Sequence, residues 1–139
     1  MEGVVPKRVL ESDRVAKTKG PYVQGVEVTN AKLVFTSGVV ARDAHGRMVG
    51  LGDIRAQTRQ CIENLRHIIE AAGGSLADLV KVTVFIRDLA HYDGMNEVRR
   101  EMLSGIPFAS STVQAGLNAA DALVEIEAVA AVSLDAARL

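Results

Sequence analysis

The sequence predicts an α+β domain on three observations. A run of β-branched and aromatic residues, Leu79-Val80-Lys81-Val82-Thr83-Val84-Phe85-Ile86, reads as a central strand. It is bracketed by two segments with helical periodicity. Alternating apolar segments precede the first helix and follow the second, giving the order β-β-β-α-β-α-β-β. That order places two helices on one face of a mixed, six-stranded sheet. The 139 residues make one domain with a core of its own, and residues 1–6 and 133–139 read as tails.

Taken in order, Lys7 to Leu10 is a short edge strand and Glu11 to Gly20 is irregular. Gly20-Pro21-Tyr22 is a turn signal, after which Val23 to Val28 alternates like a strand. Thr29-Asn30-Ala31 is a tight turn into Lys32 to Ser37, so these two strands are expected to form a hairpin. Gly38 then permits close backbone approach. Residues 42 to 52, with three glycines, form a loop.

Asp53 caps a helix that stops near Ala72, before Gly73-Gly74. Along it Ile54, Thr58, Cys61, Leu65, Ile68 and Ala72 recur at steps of three and four, an amphipathic stripe for packing on a sheet. A second helix covers about His91 to Leu103 and ends at Ser104-Gly105. Two strands follow, Ser111 to Ala115 and Val124 to Val132.

Composition excludes several functions. No apolar run approaches the roughly 20 residues that span a bilayer. The start lacks the pattern of a signal peptide, and a cytoplasmic location is expected. One cysteine rules out an internal disulfide or a multi-cysteine metal site, and neither metal nor cofactor is expected. Sixteen basic against seventeen acidic residues, with 4% aromatics and no tryptophan, argue against nucleic acid as the partner. A small, aromatic-poor domain is expected to bury further apolar surface by self-association.

Candidate chemistry concentrates at the C-terminal strand pair. Glu125 and Glu127 alternate with Val124, Ile126 and Ala128, so both carboxylates leave one face of the last strand. Glutamate is costly to bury there unless it is paired. Glu125 is therefore the leading candidate to hold a water or move a proton. Ser110-Ser111-Thr112 is a hydroxyl cluster, open to two readings: a capped turn with edge hydrogen bonds, or a ligand contact. No Gly-x-Ser-x-Gly elbow surrounds it. Cys61 lies in the apolar stripe and reads as a buried core residue. His45, His67 and His91 show no metal spacing and read as surface or capping residues. The glycines from Gly46 to Gly52 match no phosphate-binding fingerprint.

In combination, several segments carry a family resemblance: Gly20-Pro21-Tyr22-Val23-Gln24-Gly25-Val26, Phe35-Thr36-Ser37-Gly38, the helix Gln57 to Gly73, Lys81 to Leu89, and Val124 to Ala130. Over residues 20 to 132 the chain resembles the RidA/YjgF family of reactive-intermediate deaminases. The resemblance implies a chorismate-mutase-like (RidA-like) fold and a homotrimer whose sheets close into a barrel, with small-molecule pockets at the subunit interfaces. It also implies hydrolysis of enamines and imines to an oxo acid and ammonia. An arginine would clamp the substrate carboxylate and a glutamate would orient the water.

Residue by residue, the resemblance assigns Glu125 the catalytic role and makes Tyr22, Ser37, Gly38 and Asn96 pocket residues. Ser110 stands where the family has its arginine, with Ser111 beside it, and Val39 stands where a glutamine is common. One neutral hydroxyl in place of a guanidinium predicts weak or absent activity on 2-aminoacrylate and 2-iminobutanoate, and therefore a changed substrate. Arg42, Arg87, Arg99 and Arg100 are the candidates to replace the clamp; each otherwise reads as a solvated charge. Two other roles remain open, a non-catalytic trimer that senses or carries a metabolite, and the ribonuclease or translation-inhibitor role that some members are labelled with. The balanced charge opposes the latter.

Overall fold

In the computed structural model, which describes residues 6–136, six strands and two helices follow the predicted order. They are β1 (Lys7–Leu10), β2 (Gly25–Val28), β3 (Ala31–Phe35), α1 (Ile54–Glu70), β4 (Leu79–Ile86), α2 (Tyr92–Met102), β5 (Ala109–Gln114) and β6 (Val124–Ser133). The fold is α+β with a mixed sheet: β4 runs parallel to β5 and antiparallel to β6. Of the tails expected at residues 1–6 and 133–139, residues 1–5 and 137–139 lie outside the described residues, and Ser133 belongs to β6 rather than to a tail.

Two expectations are corrected. The strands do not form one six-stranded sheet; they divide into a β1-β2 pair and a four-stranded sheet ordered β3-β6-β4-β5. The β2-β3 hairpin is not formed either, because β2 pairs with β1 and β3 pairs with β6. A two-residue hairpin turn of the common kind needs a positive φ at both central residues. Only Asn30 has one, at 50°. The turn therefore redirects the chain from one sheet into the other. Lys7 ties the small sheet to the large one by donating from Nζ to the carbonyls of Leu79 (2.7 Å) and Ala77 (2.8 Å).

The core lies between the large sheet and the helices. Val82, Val84 and Ile86 of β4 and Val124, Ile126, Ala128 and Ala130 of β6 face α1, whose inner stripe is Ile54, Thr58, Cys61, Ile62, Leu65 and Ile69. Asp53 caps α1 by accepting from the Ala56 amide at 3.1 Å. Gly94 lets α2 lie against α1, since a Cβ there would meet Ile54 Cγ2 at 2.8 Å. No helix among the described residues is long and apolar enough to cross a membrane.

No helix among the described residues covers the other face of the large sheet. It carries Leu33 and Phe35 of β3, Glu125, Glu127 and Val129 of β6, Lys81, Thr83 and Phe85 of β4, and Ser111 and Val113 of β5. Phe35 is 70% and Leu33 52% exposed on this face.

Candidate functional site

The residues singled out in the sequence fall into two groups. The first surrounds Glu125. Beyond Phe35, which pairs with Val129, the chain continues alongside β6: the Thr36 amide donates to the Ala128 carbonyl (3.0 Å), and Val39 and Ile126 exchange backbone hydrogen bonds. One extra residue is accommodated between these points, so Ser37 and Gly38 bulge beside Glu127 and Glu125. Bulges of this kind re-aim side chains next to functional sites. A Cβ on Gly38 would lie 2.8 Å from Glu125 Oε2 and 2.9 Å from its Cδ. Only glycine fits while the carboxylate stays where it is.

The entry to β6 is held firmly. The buried Gln57 amide donates to the Gly50 and Asp121 carbonyls and accepts from the Leu123 amide. Arg87 donates to the carbonyls of Leu117, Ala119 and Ala122. A helix side chain and a strand-end arginine thus fix the loop before Val124, and with it the position of Glu125. Cys61 lies behind β6, fully buried, with its thiol pushed up to about 12 by burial and by the nearby Glu125 charge. It is inert at neutral pH, as its place in the apolar stripe implies.

The second group surrounds Ser110, on the helix side of the sheet. Ser110 pairs with Val82, an inward position of β4, and its Oγ accepts from Arg99 Nη1 at 2.7 Å. Arg99 belongs to α2 and has no exposed surface. Its Nε and Nη2 both donate to Asn96 Oδ1, at 3.2 and 2.8 Å, and its guanidinium lies 5.8 Å from the ring centres of Tyr22 and Phe108. The Tyr22 ring packs on the Gly20 backbone. A surface cleft of about 510 Å³ shares Tyr22 as a wall and is also lined by Arg100 and Pro107.

The four arginines therefore separate. Arg42 donates to the Gly46 carbonyl in an exposed loop, Arg87 holds the loop before β6, and Arg100 lines the cleft. Arg99 alone of the four meets Ser110, and of the two readings left open for it, the solvated charge does not hold, since it is fully buried. Helical spacing carries the signal for it: Met95, Asn96, Val98 and Arg99 share the buried face of α2. Phe108, fully buried, is a residue of this group that the sequence reading left unremarked.

Three further placements differ in detail. Ser111 leaves the opposite face of β5 from Ser110 and accepts from Lys81 Nζ at 3.2 Å, so the two hydroxyls do not share a site. Glu127 is half-buried opposite Thr83. His91 sits at the N-cap of α2 without a side-chain capping bond, and its Nδ1 is buried with no partner among the described residues.

A family model described as Endoribonuclease L-PSP matches residues 13–132. The chain belongs to this family, the RidA/YjgF proteins. The 3-aminoacrylate deaminase RutC of Acinetobacter baylyi is 37% identical over 126 residues, covering 91% of this chain and 98% of the relative. Among solved structures, the Rid protein YyfB of Yersinia pestis superposes with a TM-score of 0.80 at 28% identity, over 91% of this chain and 99% of that one. E. coli TdcF, solved with bound serine, gives 0.66 at 36% identity over the same shares.

Proposed function

We propose that this Rid-family protein is a hydrolytic deaminase of small enamine- or imine-type metabolites, with a substrate preference altered at Ser110. The observation that carries the reading is Glu125, held half-buried against the Gly38 bulge on the uncovered face of β6. A carboxylate fixed by backbone packing is suited to orient a water. As that water adds to the imine carbon, Glu125 takes its proton and returns it to the nitrogen. The added hydroxyl then gives up its own proton, again through Glu125, to the same nitrogen as the C–N bond breaks, releasing ammonia and leaving a carbonyl. Kinship with a 3-aminoacrylate deaminase supports the reaction class.

The working unit of this proposal is a homotrimer with a pocket at each subunit interface. Ser110 and Glu125 are paired with Val82 and Phe85 on β4, three residues apart, so they leave opposite faces of the sheet. One chain does not bring them together; a neighbouring copy would. The exposed Leu33 and Phe35 give such a copy apolar surface to cover. The test is ammonia release from a panel of enamines and imines, with Glu125→Gln as control. A fall of about 10²–10⁴-fold in the variant is expected, and equal rates would sink the reading.

A binding-only trimer is favoured by one observation, the complete enclosure of the Arg99 guanidinium. For that reading, metabolites would raise the melting temperature with no turnover of any panel member.

A further inference from the structure

We infer that Lys81 of one copy and Glu127 of the next form an ion pair that selects how copies of this chain meet across the uncovered face of the large sheet. The inference rests on the assembly proposed above and deepens it, by naming the charged contact that sets its register. On that face Thr83 of β4 lies between Glu127 of β6 and Ser111 of β5, its direct partners in the two pairings. Neighbouring strands lie roughly 4.8 Å apart, so the row from Glu127 to Ser111 spans about 10 Å. Lys81 closes the row at the β5 end, where its Nζ donates to Ser111 Oγ at 3.2 Å. The row therefore carries a negative charge at one end and a positive charge at the other. Lys81 pairs with Val129, diagonal to Glu127 and near enough for a contact within the chain, yet it turns to β5 instead. Among the described residues neither charge has an ion-pair partner.

Both side chains are already half-buried in the single chain. Around the row stand Leu33, Phe35, Phe85, Val113 and Val129, of which Phe35, Leu33 and Val113 are exposed. A partner that covers these apolar groups takes Lys81 and Glu127 out of water with them. A charge buried without compensation opposes association. The partner must therefore bring an anion to Lys81 and a cation to Glu127. A second copy of the same face carries both, so the face is complementary to itself. A foreign chain would need the same two charges at the same spacing. Charge complementarity thus favours a copy of this chain as the occupant.

Sedimentation of the intact protein reads the pair. Lys81→Glu and Glu127→Lys each set like charges against one another and should raise the dissociation constant of the assembly roughly a hundredfold or more, with the circular dichroism spectrum retained. The chain carrying both Lys81→Glu and Glu127→Lys should assemble like wild type. An equal mixture of the two single variants should form assemblies that neither forms alone, because each supplies the charge the other lacks. Single variants that assemble like wild type would overturn the inference. A double variant that recovers while the mixture does not would overturn it too, since that pattern places the pair within one chain. If a reversed chain does not fold, Lys81→Met and Glu127→Gln replace it: each alone should weaken assembly more than the two together, and additive losses would overturn the pair. Wild type that sediments as a single chain would refute the proposed assembly itself and leave this face to a different partner. Because no reaction is read, an absence of ammonia release would count against the deaminase reading alone.

Discussion

The two faces of the large sheet are built from the same strands and behave differently. Toward the helices, Val82, Val84, Val124 and Ile126 are sealed within a single chain. Away from them, Phe35 and Leu33 stand largely in water and two glutamates share the surface with Val129 and Phe85. The first face is what a lone chain needs in order to fold. The second has the composition of a surface completed by something else. The candidate site repeats the division, with Arg99 and Ser110 on the closed side and Glu125 and Gly38 on the open side. Stability is thus concentrated on one face, while the proposed chemistry requires both.

Substitutions can break this contrast, beginning with the largest effect. Glu125→Gln keeps the shape of the side chain and removes the base, so ammonia release should fall by about 10²–10⁴-fold with the circular dichroism spectrum and melting temperature retained. Phe35→Glu places a charge on the open face at its most exposed apolar residue, on the edge strand β3. Sedimentation should report dissociation to single chains, and deaminase activity should vanish with the assembly while the helix-side core stays folded. A variant that sediments like wild type would show that this face is not where copies meet.

Gly38→Ala is subtler. Its methyl group would meet the Glu125 carboxylate at under 3 Å, displacing it by a fraction of an ångström or more. A loss of roughly tenfold to a hundredfold in kcat is expected, with about 1 kcal/mol of stability, read by steady-state kinetics and urea unfolding.

The smallest effect belongs to Cys61. Burial first, and the Glu125 charge second, push its thiol from the ordinary value of roughly 8.5 up to about 12. A group whose folded value is raised stabilises the fold below its unfolded value and loses that contribution as pH climbs to the folded one. Stability should therefore decline between about pH 9 and pH 12 and be flat near neutrality. Cys61→Ala should flatten that alkaline decline in pH-dependent urea unfolding, and maleimide should leave the native thiol unlabelled at pH 7.

Much of this organisation is legible in the sequence. The Asp53 cap, the stripe through Cys61 and the β-branched run of β4 each specify their element locally. The alternation of Glu125 and Glu127 with apolar neighbours identifies the face they leave. The partner of β2 is not legible, because Thr29-Asn30 resembles a hairpin turn and the φ of the two residues decides which strand comes next. Arg99 is the more instructive case. Its spacing from Met95 and Asn96 places it on the inner face of α2, but arginine is so often solvated that position alone does not reveal a buried guanidinium. Its approach to the rings of Tyr22, far from it in sequence, and Phe108 becomes visible only once the chain is folded.

The central claim is that Glu125 of one copy and the Ser110–Arg99 group of another belong to one site, as proposed above. Subunit mixing tests it most directly. Glu125→Gln and Arg99→Gln chains are unfolded together, refolded in equal amounts, and assayed for ammonia release beside each variant alone. Random assortment should rebuild about one quarter of the sites with both residues intact, recovering up to that share of wild-type activity. A mixture no more active than the sum of the separate variants would contradict the account.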